Sequence, residues 1–173
     1  LPAMLAAGGV PPLRADREDR HPVLIAGGAA ITLNPLPLSQ IVDACVIGEA
    51  EPIVQRLAAL LLEADSRDFL YDGLSQIPGV LLSDDHGSTA DRLVDRDLSA
   101  SSTETAILTP HTEFGDRFLI EISRGCGRSC DFCLARQIYH PFRARRPEML
   151  IGRISQVMEH TRQIGLVGAA VSD

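Results

Sequence analysis

The stretch EISRGCGRSCDFCLARQ, residues 121–137, holds three of the four cysteines in this 173-residue chain. Cys126, Cys130 and Cys133 are spaced as C-x3-C-x2-C, and the run RFLIEIS that leads into them has the alternating apolar pattern of a strand. Clustered thiols in a reducing compartment usually bind metal, whereas the cysteines of secreted disulfide frameworks are spread along the chain. The stretch therefore predicts a strand followed by a metal-binding loop.

Two kinds of metal site are open to these thiols, because thiolates bind both zinc and iron–sulfur clusters. A structural zinc ion needs a fourth ligand, for which His140 and Cys45 are the candidates. A cubane cluster held by three cysteines instead leaves one iron without a protein ligand, as a catalytic metal site does for its substrate or cofactor. The zinc alternative, with His140 as fourth ligand, predicts a nucleic-acid-binding module.

The charge of the chain is uneven. The net charge is -7, yet residues 116–173 carry more arginines than acids, and no lysine is present. The absence of lysine excludes Schiff-base chemistry and a P-loop lysine within this chain. No apolar run approaches the roughly 18 residues that span a bilayer, and the N-terminus lacks the basic region of a signal peptide. We therefore expect a cytoplasmic protein with no membrane partner, and the ends of the chain suggest a fragment.

The first part of the chain alternates between strand and helix patterns. The runs PVLIAGG (22–28) and ACVIGE (44–49) predict buried parallel strands. Apolar positions at helical spacing predict a helix over residues 53–63, with Pro52 in its first turn and Glu49 favouring its N-terminal dipole. The alternation predicts an α/β fold in which residues 1–97 form part of a doubly wound sheet.

The polar residues 98–115 are predicted to be a linker, and residues 116–173 a second unit. This unit reads as strand, cysteine loop, helix and strand. The predicted helix covers PEMLIGRISQVMEHTRQIG, and the last strand covers GLVGAAVSD. The apolar positions at helical spacing are Ile151, Ile154, Val157 and Met158.

The segment RGCGRSCDFC resembles the cluster-binding loop of the radical S-adenosylmethionine (SAM) superfamily, with Phe132 as the aromatic residue before the last cysteine. The resemblance implies a 4Fe–4S cluster held by the three cysteines, with S-adenosylmethionine chelating the fourth iron. It implies reductive cleavage to a 5'-deoxyadenosyl radical, which takes hydrogen from an unknown substrate. Gly127 and Arg124 would lie beside the cofactors. An electron donor such as flavodoxin or ferredoxin is the implied partner.

The same resemblance implies a fold for the second unit. In this superfamily the cluster loop follows the first strand of a partial TIM-type barrel, so residues 116–173 would be its first strand, helix and strand. Ser172 and Asp173 would then replace the motif that holds the methionine amino group. The remaining strands would lie beyond residue 173, and this segment alone is not expected to be active.

The N-terminal segment resembles a cobalamin-binding-like Rossmann domain, as found ahead of the radical domain in a subset of these enzymes. The matching stretches are IAGGAAITLNPLPLS and DACVIGEAEPIV. The resemblance implies close approach of a nucleotide tail to Gly27 and Gly28, and it adds cobalamin to the cofactors to be considered. Methylthiotransferases share the cysteine loop, but they usually carry three further N-terminal cysteines, where this chain has only Cys45.

A few further residues carry expectations. Cys45, in an apolar run, is expected to be a buried small hydrophobe. Glu121 is expected either to face the cluster or to pair with a nearby arginine. Three arginines after the loop are expected to hold a carboxylate or phosphate, or else to be solvated: Arg143, Arg145 and Arg146.

Overall fold

The structure of the protein is a computed structural model that describes residues 1–84, 87–101, 103–169 and 171. It divides into two compact units, Leu1–Asp95 and Arg96–Asp173. The predicted assignment of domains to 1–97, 98–115 and 116–173 stays a prediction. No helix within the described part of the chain is long and apolar enough to cross a bilayer.

The first unit contains a small mixed parallel and antiparallel sheet and several helices. Its helices are α1 (Pro2–Ala7), α2 (Ala29–Leu33), α3 (Val54–Glu63) and α4 (Arg67–Ser75), and its strands are β1 (Ile25–Ala26), β2 (Ala44–Val46) and β3 (Val80–Leu82). The strand order is β1-β2-β3, with β1 parallel and β3 antiparallel to β2. The parallel pairing predicted for the first two strands is confirmed, although both strands are shorter than predicted.

Strand β2 lies at the centre of the core, and its three residues are all buried. Ala44 and Val46 pack with the buried Leu74 of α4 on one face of the sheet. Cys45 packs with Ile31 of α2 on the other face and is 2% exposed. Cys45 is therefore the buried small hydrophobe that the sequence predicts.

The start of α3 differs from the prediction. The helix begins at Val54, so Pro52 lies before it, and its first turn holds no acidic side chain. Glu49 is buried, and its Oε2 accepts a hydrogen bond of 2.7 Å from the backbone N–H of Asp95. The expected role of Glu49 at the helix dipole is wrong, because its carboxylate holds the chain near residue 95.

A buried carboxylate connects several elements of the first unit. The Asp43 side chain accepts hydrogen bonds from Arg17 at 3.0 Å, from the Leu24 backbone N–H at 2.7 Å and from the Tyr71 hydroxyl at 2.8 Å. The side chains of Asp43 and Arg17 are both fully buried. Arg67 donates to the Tyr71 hydroxyl at 2.9 Å. The carboxylate thus joins the N-terminal segment, the residue before β1, and α4.

The second unit contains a parallel strand pair and an antiparallel one. Its strands are β4 (Phe118–Glu121), β5 (Ser123–Arg124), β6 (Arg143–Ala144) and β7 (Ile164–Val167), and its helices are α5 (Leu134–Ile138) and α6 (Pro147–Val157). Strands β4 and β7 pair in parallel, with α6 between them along the chain, as the predicted strand–helix–strand order requires. The described residues form no closed barrel. The Rossmann and TIM-type details stay predictions.

Helix α6 is shorter than predicted. It ends at Val157, and the chain turns before β7, where the Thr161 hydroxyl donates to the Asp116 carbonyl at 2.8 Å. Of its apolar positions, Ile154 and Val157 are half-buried, whereas Ile151 and Met158 are 63% and 53% exposed. The apolar pattern did not show where the helix ends, because the chain after it is held by the pairing of β4 with β7, which begins at Ile164.

We expect Asp43→Ala to lower the free energy of unfolding of the chain by about 3–5 kcal/mol, because the buried Arg17 would lose its carboxylate partner. Asp72→Ala, on the exposed surface of α4, is the matched control and should change it by less than about 0.5 kcal/mol. Urea unfolding at neutral pH measures both, and equal stability of the two variants would contradict the assigned role of Asp43.

Candidate metal centre

The cysteine loop lies between β5 and α5. Arg124 ends β5, and Cys133 is the N-cap residue of α5. Cys126, Cys130 and Cys133 are free thiols, each half-exposed. The loop therefore presents three accessible sulfur ligands between two short elements.

Gly125 sets the start of the loop. Its φ of +81° lies in the left-handed region, and a Cβ atom there would lie 2.4 Å from the Tyr139 carbonyl oxygen and 2.9 Å from that of Pro141. Only glycine allows this conformation and this close approach. The segment after α5 therefore packs directly against the start of the loop. Gly127, the glycine predicted to lie beside the cofactors, has nothing within 4 Å of where a Cβ would be, whereas the role of Gly125 was not predicted.

The two ends of the loop are joined by backbone pairing. In the antiparallel pair of β5 and β6, Ser123 lies opposite Ala144 and Arg124 opposite Arg143. The next N–H, that of Arg145, donates to the Ile122 carbonyl at 2.9 Å. This pairing was not predicted, because two-residue strands carry no recognisable alternation.

Glu121, at the end of β4, binds two arginines. Arg124 donates from Nε to Oε1 and from Nη2 to Oε2, both at 2.9 Å, and Arg145 donates from Nη2 to Oε2 at 3.0 Å. Burial by itself would raise the pKa of the Glu121 carboxyl, but the hydrogen bonds from the two guanidinium groups outweigh burial and lower it. Glu121 is therefore ionised at neutral pH. Of its two expected roles, the structure shows the pairing with arginine.

Arg145 also holds the polar segment that precedes β4. Its guanidinium donates to the carbonyl oxygens of Leu98 and Ser101 and to the Thr103 hydroxyl. The same segment pairs with β4, where the Glu121 N–H donates to the Thr103 carbonyl at 3.0 Å. Residues of the predicted linker therefore pack onto the second unit. Arg145 is buried among these protein acceptors.

The donor chemistry of the loop fits an iron–sulfur cluster, since thiolates are the usual ligands of such clusters. The Arg128 backbone N–H donates to Cys126 Sγ at 3.4 Å, a contact that stabilises a thiolate ligand. In the part of the chain that the structure describes, however, no three cysteine, histidine or acidic side chains are grouped closely enough to hold a metal ion. The fit therefore rests on the identity and exposure of the ligands, and the ligand assignment stays a prediction.

The other predicted site residues lie in different surroundings. Phe132 is 89% exposed in the loop, and His140 is exposed as well. The guanidinium of Arg124, predicted to lie beside the cofactor, is bound to Glu121. Ser172 and Asp173 lie outside the described residues.

Two arginines after the loop are bound to protein acceptors. Arg143 donates to the carbonyl oxygens of Pro141 and Tyr139. Arg146 donates to the Ser99 hydroxyl at 3.5 Å.

The glycine pair of the first unit follows β1. Gly28 has a φ of +96° and is the N-cap of α2, and a Cβ there would meet nothing within 4 Å. The left-handed φ explains a glycine at this position. The open space beside it leaves room for a ligand, but cobalamin binding stays a prediction.

We expect Gly125→Ala to destabilise the metal-free chain by at least about 1–3 kcal/mol, because the left-handed φ is strained for alanine and its Cβ would clash with the Tyr139 carbonyl. Gly127→Ala adds the same methyl group in open space and should change stability by less than about 0.5 kcal/mol. Urea unfolding of the two variants makes the comparison. A Gly125→Ala chain as stable as Gly127→Ala would show that the loop does not pack as described.

Comparison with known proteins supports a resemblance to radical SAM proteins in the first half of the chain. Residues 1–82 match the family described as radical SAM proteins, N-terminal. The uncharacterized protein MJ0966 of Methanocaldococcus jannaschii is 26% identical over 162 residues, which cover 91% of this chain and 34% of that relative. The chain thus spans about a third of the length of the curated relative it matches. No solved structure matches the chain. The match to radical SAM proteins, N-terminal, is confined to residues 1–82 and does not include the cysteine loop.

Proposed function

We propose that this chain is part of a radical SAM enzyme in which Cys126, Cys130 and Cys133 hold a 4Fe–4S cluster. One observation carries the proposal: the C-x3-C-x2-C loop directly follows strands β4 and β5 in a chain whose first 82 residues match the N-terminal domain of radical SAM proteins. Either feature alone would be weaker, because three clustered cysteines also occur in zinc sites.

When bound, the cluster supplies the electron that splits S-adenosylmethionine to methionine and a 5'-deoxyadenosyl radical. The chain's own residues provide the ligands and their surroundings. The Arg128 N–H donates to Cys126 Sγ and would stabilise that thiolate. Gly127, with open space where a Cβ would lie, allows an inorganic cluster to approach the backbone.

The proposed cofactor contacts differ in their support. Phe132 is exposed within the loop and is free to contact S-adenosylmethionine. Ser172 and Asp173 follow β7 and are proposed to hold the methionine amino group, by analogy with the family motif at the end of the second strand. Arg124 is bound to Glu121, so we propose that it acts mainly on the loop.

The fold of each unit is consistent with this proposal. Strands β4 and β7 are parallel neighbours, which is the pairing expected at the start of a partial TIM-type barrel. Strands β1 and β2 are parallel as well, as in a Rossmann-like, cobalamin-binding-like domain. Cobalamin as a second cofactor and a flavodoxin or ferredoxin as electron donor belong to the proposal. The substrate is unknown.

The proposal is tested by anaerobic reconstitution of the full chain with iron and sulfide. We expect a brown protein with about four iron and four sulfide ions per chain. Cys130→Ala should lose most of this iron, because one of three ligands is gone. Cys45→Ala removes a buried thiol of the first unit and should retain the iron.

Two outcomes would contradict the proposal. Equal iron loss in Cys130→Ala and Cys45→Ala would show that the ligand set is misassigned. A colourless chain that binds one zinc ion, and loses it on His140→Ala, would favour the zinc-binding module.

A further inference from the structure

Three charged side chains converge beside the cysteine loop: Glu121 before it, Arg124 at its start and Arg145 beyond its end. We refer to them as the Glu121 cluster. Glu121 is 13% exposed at its side chain, against 9% for Arg124 and 2% for Arg145. All three groups are thus largely shielded from water. Ion pairs that are shielded in this way are screened less than ion pairs at the surface.

The cluster joins both ends of the loop to β4. Arg124 precedes Cys126 by two residues and grips both carboxylate oxygens, a bidentate geometry that fixes orientation as well as distance. Arg145 follows β6, which pairs with β5, and shares Oε2 with Arg124. A single carboxylate therefore holds the chain on either side of the three cysteines.

The charge balance makes this carboxylate essential to the arrangement. Both guanidinium groups remain charged at any physiological pH, because arginine cannot be deprotonated in proteins. Arg145 has further neutral acceptors in Leu98, Ser101 and Thr103. Arg124 donates two hydrogen bonds of 2.9 Å to Glu121 and a longer one of 3.5 Å to the Thr103 hydroxyl. Loss of the Glu121 charge would leave two buried guanidinium groups close together without the carboxylate that both bind.

We propose that Glu121 is a positioning residue for the cysteine loop: it fixes Arg124 and Arg145, and thereby the two ends of the segment that carries Cys126, Cys130 and Cys133. This inference rests on the proposed function for its purpose, the assembly of the cluster. The claim that Glu121 holds the two ends of the loop concerns the metal-free chain and can be tested without iron.

The test is amide hydrogen exchange of the full metal-free chain, compared between wild type, Glu121→Gln and Arg124→Lys. We expect exchange in residues 123–126 and 143–146 to rise on the order of tenfold in both variants, which corresponds to the loss of one charged hydrogen bond. Amides of α6 should keep their wild-type rates. The double variant should exchange no faster than Glu121→Gln, because that single substitution already breaks the pair with Arg124.

The matched control is Glu104→Gln with Arg153→Lys. These two residues form an ion pair of 2.6 Å in the same unit that includes none of the three side chains of the Glu121 cluster, and Arg153 is 43% exposed. The control variants should leave exchange in residues 123–126 and 143–146 unchanged. Faster exchange throughout the second unit, or additive effects of the Glu121 and Arg124 substitutions, would overturn the proposal and assign Glu121 a general stabilising role.

Anaerobic reconstitution then separates this inference from the proposed function. We expect Glu121→Gln to take up iron at least several-fold more slowly than wild type, while Glu104→Gln matches wild type. Equal uptake by wild type and Glu121→Gln would overturn the positioning role. A wild-type chain that binds no iron would contradict the proposed function, whereas the exchange result on the metal-free chain would still decide the role of Glu121 in holding the loop.

Discussion

The second unit depends on one half-buried carboxylate, that of Glu121, which accepts hydrogen bonds from two arginines. Glu121 binds Arg124 at the start of the cysteine loop and Arg145 beyond its end, and Arg145 in turn holds the preceding segment through the Leu98 and Ser101 carbonyls. The lowered pKa of Glu121 means that this stabilisation is present above the ordinary carboxyl pKa of 4.5 and is lost as the pH falls through the lower folded value. The conformation of the loop that carries the thiols is therefore coupled to an ion pair outside it.

The first unit uses the same kind of interaction. Asp43 is fully buried and accepts from Arg17 and the Tyr71 hydroxyl. All 16 basic residues of the chain are arginine, and a guanidinium can bind a carboxylate through two parallel hydrogen bonds where an ammonium cannot. Both carboxylates lie at an end of a strand. There, an arginine adds side-chain hydrogen bonds between a short strand and the segments around it.

The sequence was informative where periodicity and spacing are strong. Helix α3 and the burial of Cys45 were predicted from the apolar pattern, whereas the parallel order of β4 and β7 was implied by the family resemblance. The pattern failed where tertiary contacts decide. Gly125 is required by the carbonyl of Tyr139, fourteen residues on, and Glu49 is held by the Asp95 N–H. The partners of Glu121 were open in the sequence because several arginines lie nearby, and only the β5–β6 pairing brings Arg145 to it.

The family match and the cysteine loop are two separate observations that support the same proposal. The match to radical SAM proteins covers residues 1–82, whereas the cysteine loop lies at 126–133, so the link between the two is the proposal itself. Its central claim is an iron atom of the cluster that no protein side chain binds, which leaves it open to S-adenosylmethionine. The most direct measurement is electron paramagnetic resonance of the reconstituted, chemically reduced chain with and without S-adenosylmethionine. We predict that the cofactor changes the spectrum of the reduced cluster, and a spectrum that stays the same at saturating cofactor would contradict the account.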